Sequence, residues 1–398
     1  MNRVLSLVLA ALLAFSMPVF ADENDTVKIE SFAAVGDAVA IQNVKPVKNI
    51  IIMIGDGMGF NALGAARAAA FGRGTGLALD RMQAMGQSLT WSLSDDYITD
   101  SAAGGTALSS GVRTLNGRIG EDKDARPVKS ILEVAKSLGK STGVIATCTL
   151  TDATPASFLS HAKNRSNEWE IARQISGAPV DVLLGGGRAY FLPAADRESL
   201  RDDDLNLLEA MRKRGMTVVT AADEFRALDL SKVKSLAGLF ALEDMKTAPR
   251  PEIPLPEMVE GALKVLSRNP KGFFLMVEGS QIDWAGHGNN LKYSVDETLD
   301  FDSAVAKAVE FAGKDGSTLV IVTADHETGG LAINKAIESD RTITAGWTHG
   351  SHTGSAVPLL AFGPNAQAFA GLHHNFHIPQ MAVQGWGVKN FATFAYDK

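Results

Sequence analysis

One cysteine, Cys148, serves a chain of 398 residues, so no internal disulfide can brace it. Stability must then come from an apolar core, bound ions or partner chains. No long run of lysine or arginine occurs, and the net charge is −7 at pH 7. That balance excludes the broad cationic face of a nucleic-acid binder and leaves positive charge only where an anion is held. Beyond the first 21 residues no uninterrupted apolar stretch reaches the length that crosses a bilayer, so no membrane anchor is expected. Internal repeats and low-complexity tracts are absent, and the proline-rich piece 248–256 reads as a surface connection.

The start of the chain reads as an export signal. Met1-Asn-Arg3 is short and basic, residues 4–17 are apolar, and Val19-Phe-Ala21 suits a small-residue cleavage site. The expected mature chain is 22–398, a single domain, periplasmic or secreted. No cysteine stands at the cleavage site to carry a lipid. Residues 22–48 read equally as an arm across a partner or as an ordinary surface strand.

Apolar strand-like runs recur at 49–54, 143–147, 181–184, 217–219, 273–277, 318–323 and 358–362. Helix-like spacing lies between several of them, at 128–138, 256–266 and 295–311. Continuous apolar strands alternating with amphipathic helices predict an α/β fold with a mostly parallel sheet covered on both faces. Such sheets carry their chemistry beyond the carboxyl ends of the strands. Asp56, Glu278 and Asp325 all stand where a predicted strand ends.

Asp283 and His287 stand four residues apart in Val277-Glu-Gly-Ser-Gln-Ile-Asp-Trp-Ala-Gly-His287. Asp325-His326 follows a strand-like run, and His352 stands further on. With Asp56 in the turn Gly55-Asp-Gly-Met-Gly59, these groups supply the nitrogen and oxygen donors of a site for several divalent metals. They point to a metal-dependent phosphate-ester hydrolase. The same turn could suggest a dinucleotide fingerprint. That reading fails because Phe60 stands where the third glycine is needed and Asp56 would repel a pyrophosphate. Ser101, in Thr99-Asp-Ser-Ala-Ala103, opens a stretch of small residues able to start a helix. It is either a cap or a nucleophile favoured by the positive helix terminus.

The pieces Met53-Ile-Gly-Asp-Gly-Met-Gly59, Thr99-Asp-Ser-Ala-Ala103, Gly111-Val-Arg-Thr-Leu-Asn-Gly117, Asp152-Ala-Thr-Pro155, Asp181-Val-Leu-Leu-Gly-Gly-Gly187, Val277 to His287, Val322-Thr-Ala-Asp-His326 and His352-Thr-Gly-Ser355 fall in one order along the chain. In that order and at those separations the chain resembles the alkaline phosphatase family over most of its length. The resemblance implies a three-layer α/β/α sandwich around a mostly parallel sheet of about ten strands. It also implies hydrolysis of phosphate monoesters through a phosphoserine at a site with two zinc ions and one magnesium. By the same resemblance, Asp283, His287 and His352 hold one zinc, and Asp56, Asp325 and His326 hold the second beside the nucleophile Ser101. Glu278 and Thr154, with Asp56 bridging, hold the magnesium, and Asp152 reaches it through water. Arg165 grips the phosphoryl group and Asp100 orients that arginine. Some bacterial members carry lysine after the zinc-binding aspartate, whereas this chain carries Trp284. Weaker inhibition by product phosphate and an altered third-site metal preference are therefore expected. A homodimer is also implied. The 25 residues between His326 and His352 are too few for the large crown-like insertion of some members.

Two other function classes are weighed against this one. A relative cleaving diesters or sulfate esters would keep the metals. A sulfatase, though, needs a Cys/Ser-x-Pro-x-Arg motif, which is absent near Ser101, and Arg165 favours a terminal phosphoryl group. A noncatalytic binder needs no serine among the ligands. His161, expected on a helix, and His349 read as structural or supporting residues. His373, His374 and His377 read as a loop entering a terminal helix. Cys148 reads as a buried small hydrophobe, and Trp91 and Trp169 as packing residues.

Overall fold

The computed structural model describes residues 44–393. The leader, the cleavage site and most of the segment 22–48 lie outside that range.

Eight strands come first: β1 (Asn49–Gly55), β2 (Ala84–Leu89), β3 (Ser141–Thr149), β4 (Val182–Gly186), β5 (Thr217–Val219), β6 (Leu236–Leu239), β7 (Phe273–Gly279) and β8 (Thr318–Thr323). Four short ones follow, β9 (Glu327–Thr328), β10 (Ala332–Ile337), β11 (Thr342–Gly346) and β12 (His352–Thr353), and then β13 (Val357–Phe362) and β14 (Gly371–His374). Ten of them form one sheet in the order β14-β2-β13-β8-β1-β7-β3-β4-β6-β5. Only β13 runs against its neighbours, β2 and β8, and every other pairing in that sheet is parallel. The fold is the expected α/β sandwich.

β1 shows why its sequence suits the centre. All seven of its residues are buried. Ile50, Ile52 and Ile54 join one apolar cluster, while Ile51 and Met53 join the other. Period-two alternation thus feeds two cores, one on each face of the sheet. Each such side chain contributes about 1.5–3 kcal/mol by leaving water. One face is covered by helices Ser101–Ser110, Ile131–Ser137, Ala153–Leu159 and Glu168–Gly177, the other by Phe60–Phe71, Leu255–Leu266 and Leu291–Asp315. The last of these is longer than its periodicity suggests. Its first turn is capped by the Asn290 side chain, which accepts from the Tyr293 backbone N–H at 3.1 Å, and Gly316 closes the far end at φ 69°.

Register then places the chemistry. Ile54 of β1 lies level with Glu278 of β7 and with Thr323 of β8, and Glu278 lies level with Ala146 of β3. The carboxyl ends of the central strands therefore open on one cleft. The connection between His326 and His352 is filled by the antiparallel pair β10–β11, a small hairpin. Among the described residues no helix is long and apolar enough to cross a membrane.

Candidate active site and metal centre

The turn after β1 aims Asp56 into the cleft. Its N–H donates to Gly279 O at 3.1 Å, extending the β1–β7 ladder by one step, and Met58 N–H closes the turn on Gly55 O at 3.1 Å. Gly57 sits at φ +70°, and a Cβ there would lie 2.6 Å from the Asp283 Cα, so the position needs glycine on both counts.

Two groups of donors gather in the cleft. Asp56, Asp325 and His326, all buried, form one; Asp283, His287 and His352 form the other, and within each the ligand atoms lie inside 4.8 Å of one another. His326 Nε2 stands 3.6 Å from Asp56 Oδ1 and 3.2 Å from Asp325 Oδ2. His287 Nε2 stands 3.3 Å from Asp283 Oδ2 and 3.2 Å from His352 Nε2. The groups adjoin, because the rings of His326 and His352 stack with centroids 3.5 Å apart. Backbone carbonyls fix the ring orientations. His287 Nδ1 lies 2.9 Å from Gly350 O, and His352 Nδ1 lies 2.9 Å from Thr99 O. With Nδ1 donating, Nε2 is in each case the ring atom turned toward the cleft donors and the one a cation would take.

The electrostatics call for cations. Burial and then the neighbouring Asp325, Asp283 and Glu278 carboxylates push Asp56 well above the usual carboxylate range. Burial, followed by Asp152 and Asp325, does the same to Glu278. Asp325 is pushed up to about 7 by burial and by Asp283. Burial opposes charge on Asp283 too, but hydrogen bonding to His287 and the nearby imidazoles overcome it and hold the carboxyl at about 2. His287 is correspondingly raised to about 9 by that bond. Burial holds His326 well below its usual value, so it is a neutral imidazole. Asp56 Oδ1 and Asp325 Oδ2 are buried with no hydrogen-bond partner. Orphaned carboxylate oxygens facing a neutral imidazole fit a bound divalent cation.

Ser101 sits beside this centre. Its Oγ lies 3.2 Å from His326 Nε2, at the first position of helix Ser101–Ser110. Asp100 caps that helix, accepting from Ala103 N–H at 2.9 Å through Oδ1 and from Gly117 N–H at 2.9 Å through Oδ2. Arg165 spans two acids, donating to Asp152 Oδ1 at 2.8 Å and Asp100 Oδ2 at 3.4 Å. Burial alone would lower its pKa; the Asp152 and Asp100 carboxylates reverse that and hold the guanidinium firmly charged. Thr154 Oγ1 lies 3.3 Å from Asp56 Oδ2, and the Glu278 carboxylate faces the Cys148 thiol at 3.7 Å. Trp284 is half-buried on helix Gln281–His287 and packs against the core. The residues that the resemblance names as catalytic or metal-holding therefore lie in or beside one cleft.

Other expectations change. His161 lies past the end of helix Ala153–Leu159, with Nδ1 2.6 Å from Gly120 O and Nε2 3.9 Å from Glu133 Oε1. The stretch holding His373 and His374 is a strand, β14, rather than a loop, because it completes the sheet edge beside β2. Trp169 is 41% exposed, so it is covered only in part and lies outside the buried core. Cys148 is buried as expected. Sequence reasoning missed Thr328, whose Oγ1 donates to Asp283 Oδ1 and lies 3.2 Å from His326 Nδ1, tying the two groups together. Its place two residues after His326 was the available signal.

The family model described as alkaline phosphatase matches residues 47–341. A curated relative, alkaline phosphatase 4 of Bacillus subtilis (strain 168), is 35% identical over 416 aligned positions, covering 84% of this chain and 87% of the relative. Among solved structures, the alkaline phosphatase of the Antarctic bacterium TAB5 superposes with a TM-score of 0.78 at 36% identity, covering 86% of this chain and 98% of that one. A variant of that enzyme with Mg bound in its M3 site gives 0.77 at 35% identity, covering 86% and 99%. With its cleft of carboxylates and imidazoles at the ends of a ten-stranded sheet, the chain belongs to the alkaline phosphatase family of metal-dependent phosphomonoesterases.

Proposed function

We propose that the chain is exported and hydrolyses phosphate monoesters through a phosphoserine on Ser101. The observation that carries this reading is the placement of Ser101 Oγ, 3.2 Å from His326 Nε2 at a helix N-terminus, beside both donor groups. Asp283, His287 and His352 would hold one zinc, Asp56, Asp325 and His326 a second, and Asp56, Thr154 and Glu278 a magnesium. Two carboxylates and a hydroxyl suit magnesium, and magnesium in the M3 site of the TAB5 variant supports a third ion. When bound, these ions supply the positive charge that favours a serine oxyanion and a departing alkoxide.

The chain's own groups do the rest. Arg165, preset by Asp100 and Asp152, pairs with two nonbridging oxygens of the phosphoryl group. Ser101 Oγ loses its proton and attacks phosphorus, the bond to the ester oxygen breaks on the Asp283–His287–His352 side, and the alcohol leaves. Water then attacks phosphorus from the opposite side, breaking the bond to Ser101 and releasing phosphate. Two inversions give net retention. The direct test is turnover of p-nitrophenyl phosphate beside bis-p-nitrophenyl phosphate and p-nitrophenyl sulfate by zinc- and magnesium-loaded protein. Strong monoester preference is expected; preference for the diester or sulfate would change the substrate class. No turnover by the loaded protein would leave a binding role. A homodimer is part of the same proposal, and a monomer in light scattering at working concentration would remove it.

Two substitutions follow from this arrangement. Arg165→Ala should lower kcat/KM by about 10- to 150-fold, the equivalent of the 1.5–3 kcal/mol of one charged hydrogen bond. The released Asp100 and Asp152 would then repel the substrate. A loss under threefold would show that the guanidinium does not grip phosphate. Trp284→Lys brings a cation next to Asp283 where the native indole brings none. Product inhibition should tighten, seen as a lower inhibition constant for inorganic phosphate, and the metal preference of the third site should shift; unchanged values for both would sink the explanation.

A further inference from the structure

Tyr97 is the most exposed phenylalanine, tyrosine or tryptophan among the described residues, at 54%. It stands four residues before Ser101 and lies against the loop that follows His352. A Cβ on Gly354 would lie 3.2 Å from Tyr97 Cε1, so the glycine is what lets the ring rest on that backbone. His352 Nδ1 on Thr99 O, at 2.9 Å, ties the two segments together. Tyr97 is thereby set at the rim of the cleft on the Asp283–His287–His352 side.

The ring is also supported from behind. It stacks on Trp91 with centroids 6.2 Å apart and planes 20° apart. The Arg113 guanidinium lies 3.2 Å from the Trp91 centroid and 4.3 Å from that of Phe376. Arg113 Nε is buried with no hydrogen-bond partner, so this arginine sets its faces on the two rings as a brace. The loop is pinned as well, by Ile98 N–H to Asp96 Oδ1 at 3.0 Å and Asn116 Nδ2 to Ile98 O at 2.9 Å. An exposed ring on so rigid a mount is a stacking platform whose ordering cost is already met by the fold.

The geometry points to Tyr97 as a specificity-determining residue that stacks on planar aromatic leaving groups, so that nucleoside monophosphates and similar esters are favoured over sugar and alkyl phosphates. The inference rests on the phosphomonoesterase reading above, since it needs the ester oxygen to depart on the His352 side. Recognition at the phosphoryl end is indifferent to the alcohol; Tyr97 lies outside that end and adds the discrimination.

Adenosine 5′-monophosphate and ribose 5-phosphate test it, because both release a primary alcohol and differ by the planar base. The native enzyme should favour the nucleotide in kcat/KM by about tenfold, the effect of about 1.4 kcal/mol of base–aromatic stacking. Tyr97→Ala should remove that ratio while leaving ribose 5-phosphate turnover within about twofold, and Tyr97→Phe should keep it. A native ratio near one, a ratio unchanged in Tyr97→Ala, or equal losses on both substrates would overturn the inference, the last assigning Tyr97 to support of the His352 loop. Absence of turnover of both substrates by the native, metal-loaded protein would overturn the underlying reading and this one with it.

Discussion

Ser101→Ala is expected to lower kcat for p-nitrophenyl phosphate by about four orders of magnitude or more, because on the proposed mechanism the variant loses the atom that would form the covalent intermediate. The local frame survives the change. Asp100 caps the helix through Ala103 and holds the loop at Gly117, neither through Ser101, and Arg165 draws on Asp100 and Asp152. The one polar contact removed is that with His326 Nε2, a loss of about 1 kcal/mol of stability or less. Substrate affinity and bound metal should therefore stay close to native while turnover collapses. Acid-quenched native protein mixed with substrate should carry one added phosphate, and the variant none. A variant within tenfold of native activity would mean that the reaction does not pass through this serine.

The central strands were legible because burial on both faces demands continuous apolar runs, as in 49–54 and 318–323. Three sheet strands were not legible, each for a physical reason. In β2 the inward residues are Ala84, Gly86 and Ser88, while Met85 faces outward and is 61% exposed, so the hydrophobic alternation is inverted. β6 is Leu-Ala-Gly-Leu, too short to separate from a turn. β14 is an edge strand of Gly-Leu-His-His with an exposed pattern, and only its neighbour β2 makes it a strand. Such segments are specified by pairing partners far away in sequence.

The cleft side chains were legible for a different reason: donors of metal-binding type stood at the predicted strand ends, and the motif order carried the rest. The groups that orient them were not. The carbonyls of Thr99 and Gly350, which set His352 and His287, are backbone atoms available in any sequence. Thr328 is a common residue whose value lies in bridging Asp283 and His326. Tyr97 and its Trp91–Arg113 support lie on loops, where neither period announces a contact.

Metal removal should act on activity, stability and proton uptake together. Chelation is expected to abolish turnover, because Asp56, Asp325, Asp283 and Glu278 then crowd one cleft without compensating charge. The sign of the pH effect follows from the raised groups. On the proposed ligand set, metal binding needs a carboxylate at Asp325, which is raised to about 7, and a neutral imidazole at His287, which is raised to about 9. Below those values binding must displace a proton. Zinc affinity should thus rise about tenfold per pH unit for each proton released, up to about pH 7 for the Asp325 group and about pH 9 for the His287 group. The metal-free fold runs the other way at Asp325. Its folded pKa exceeds the unfolded 3.8, so its contribution is full below 3.8 and is lost as pH rises through about 7. The gap in melting temperature between loaded and stripped protein should accordingly widen from about pH 6 to about pH 9. With free metal at about a thousand times Kd, binding is worth about 4 kcal/mol, or roughly 5 °C for a chain of this length. Zinc titrations in metal buffers at about pH 6, 7.5 and 9, with proton release recorded, measure both slopes. Affinity that stays flat or falls with pH would mean that these two groups are not ligands, while a steep rise would show that their own protons set how metal occupancy depends on pH.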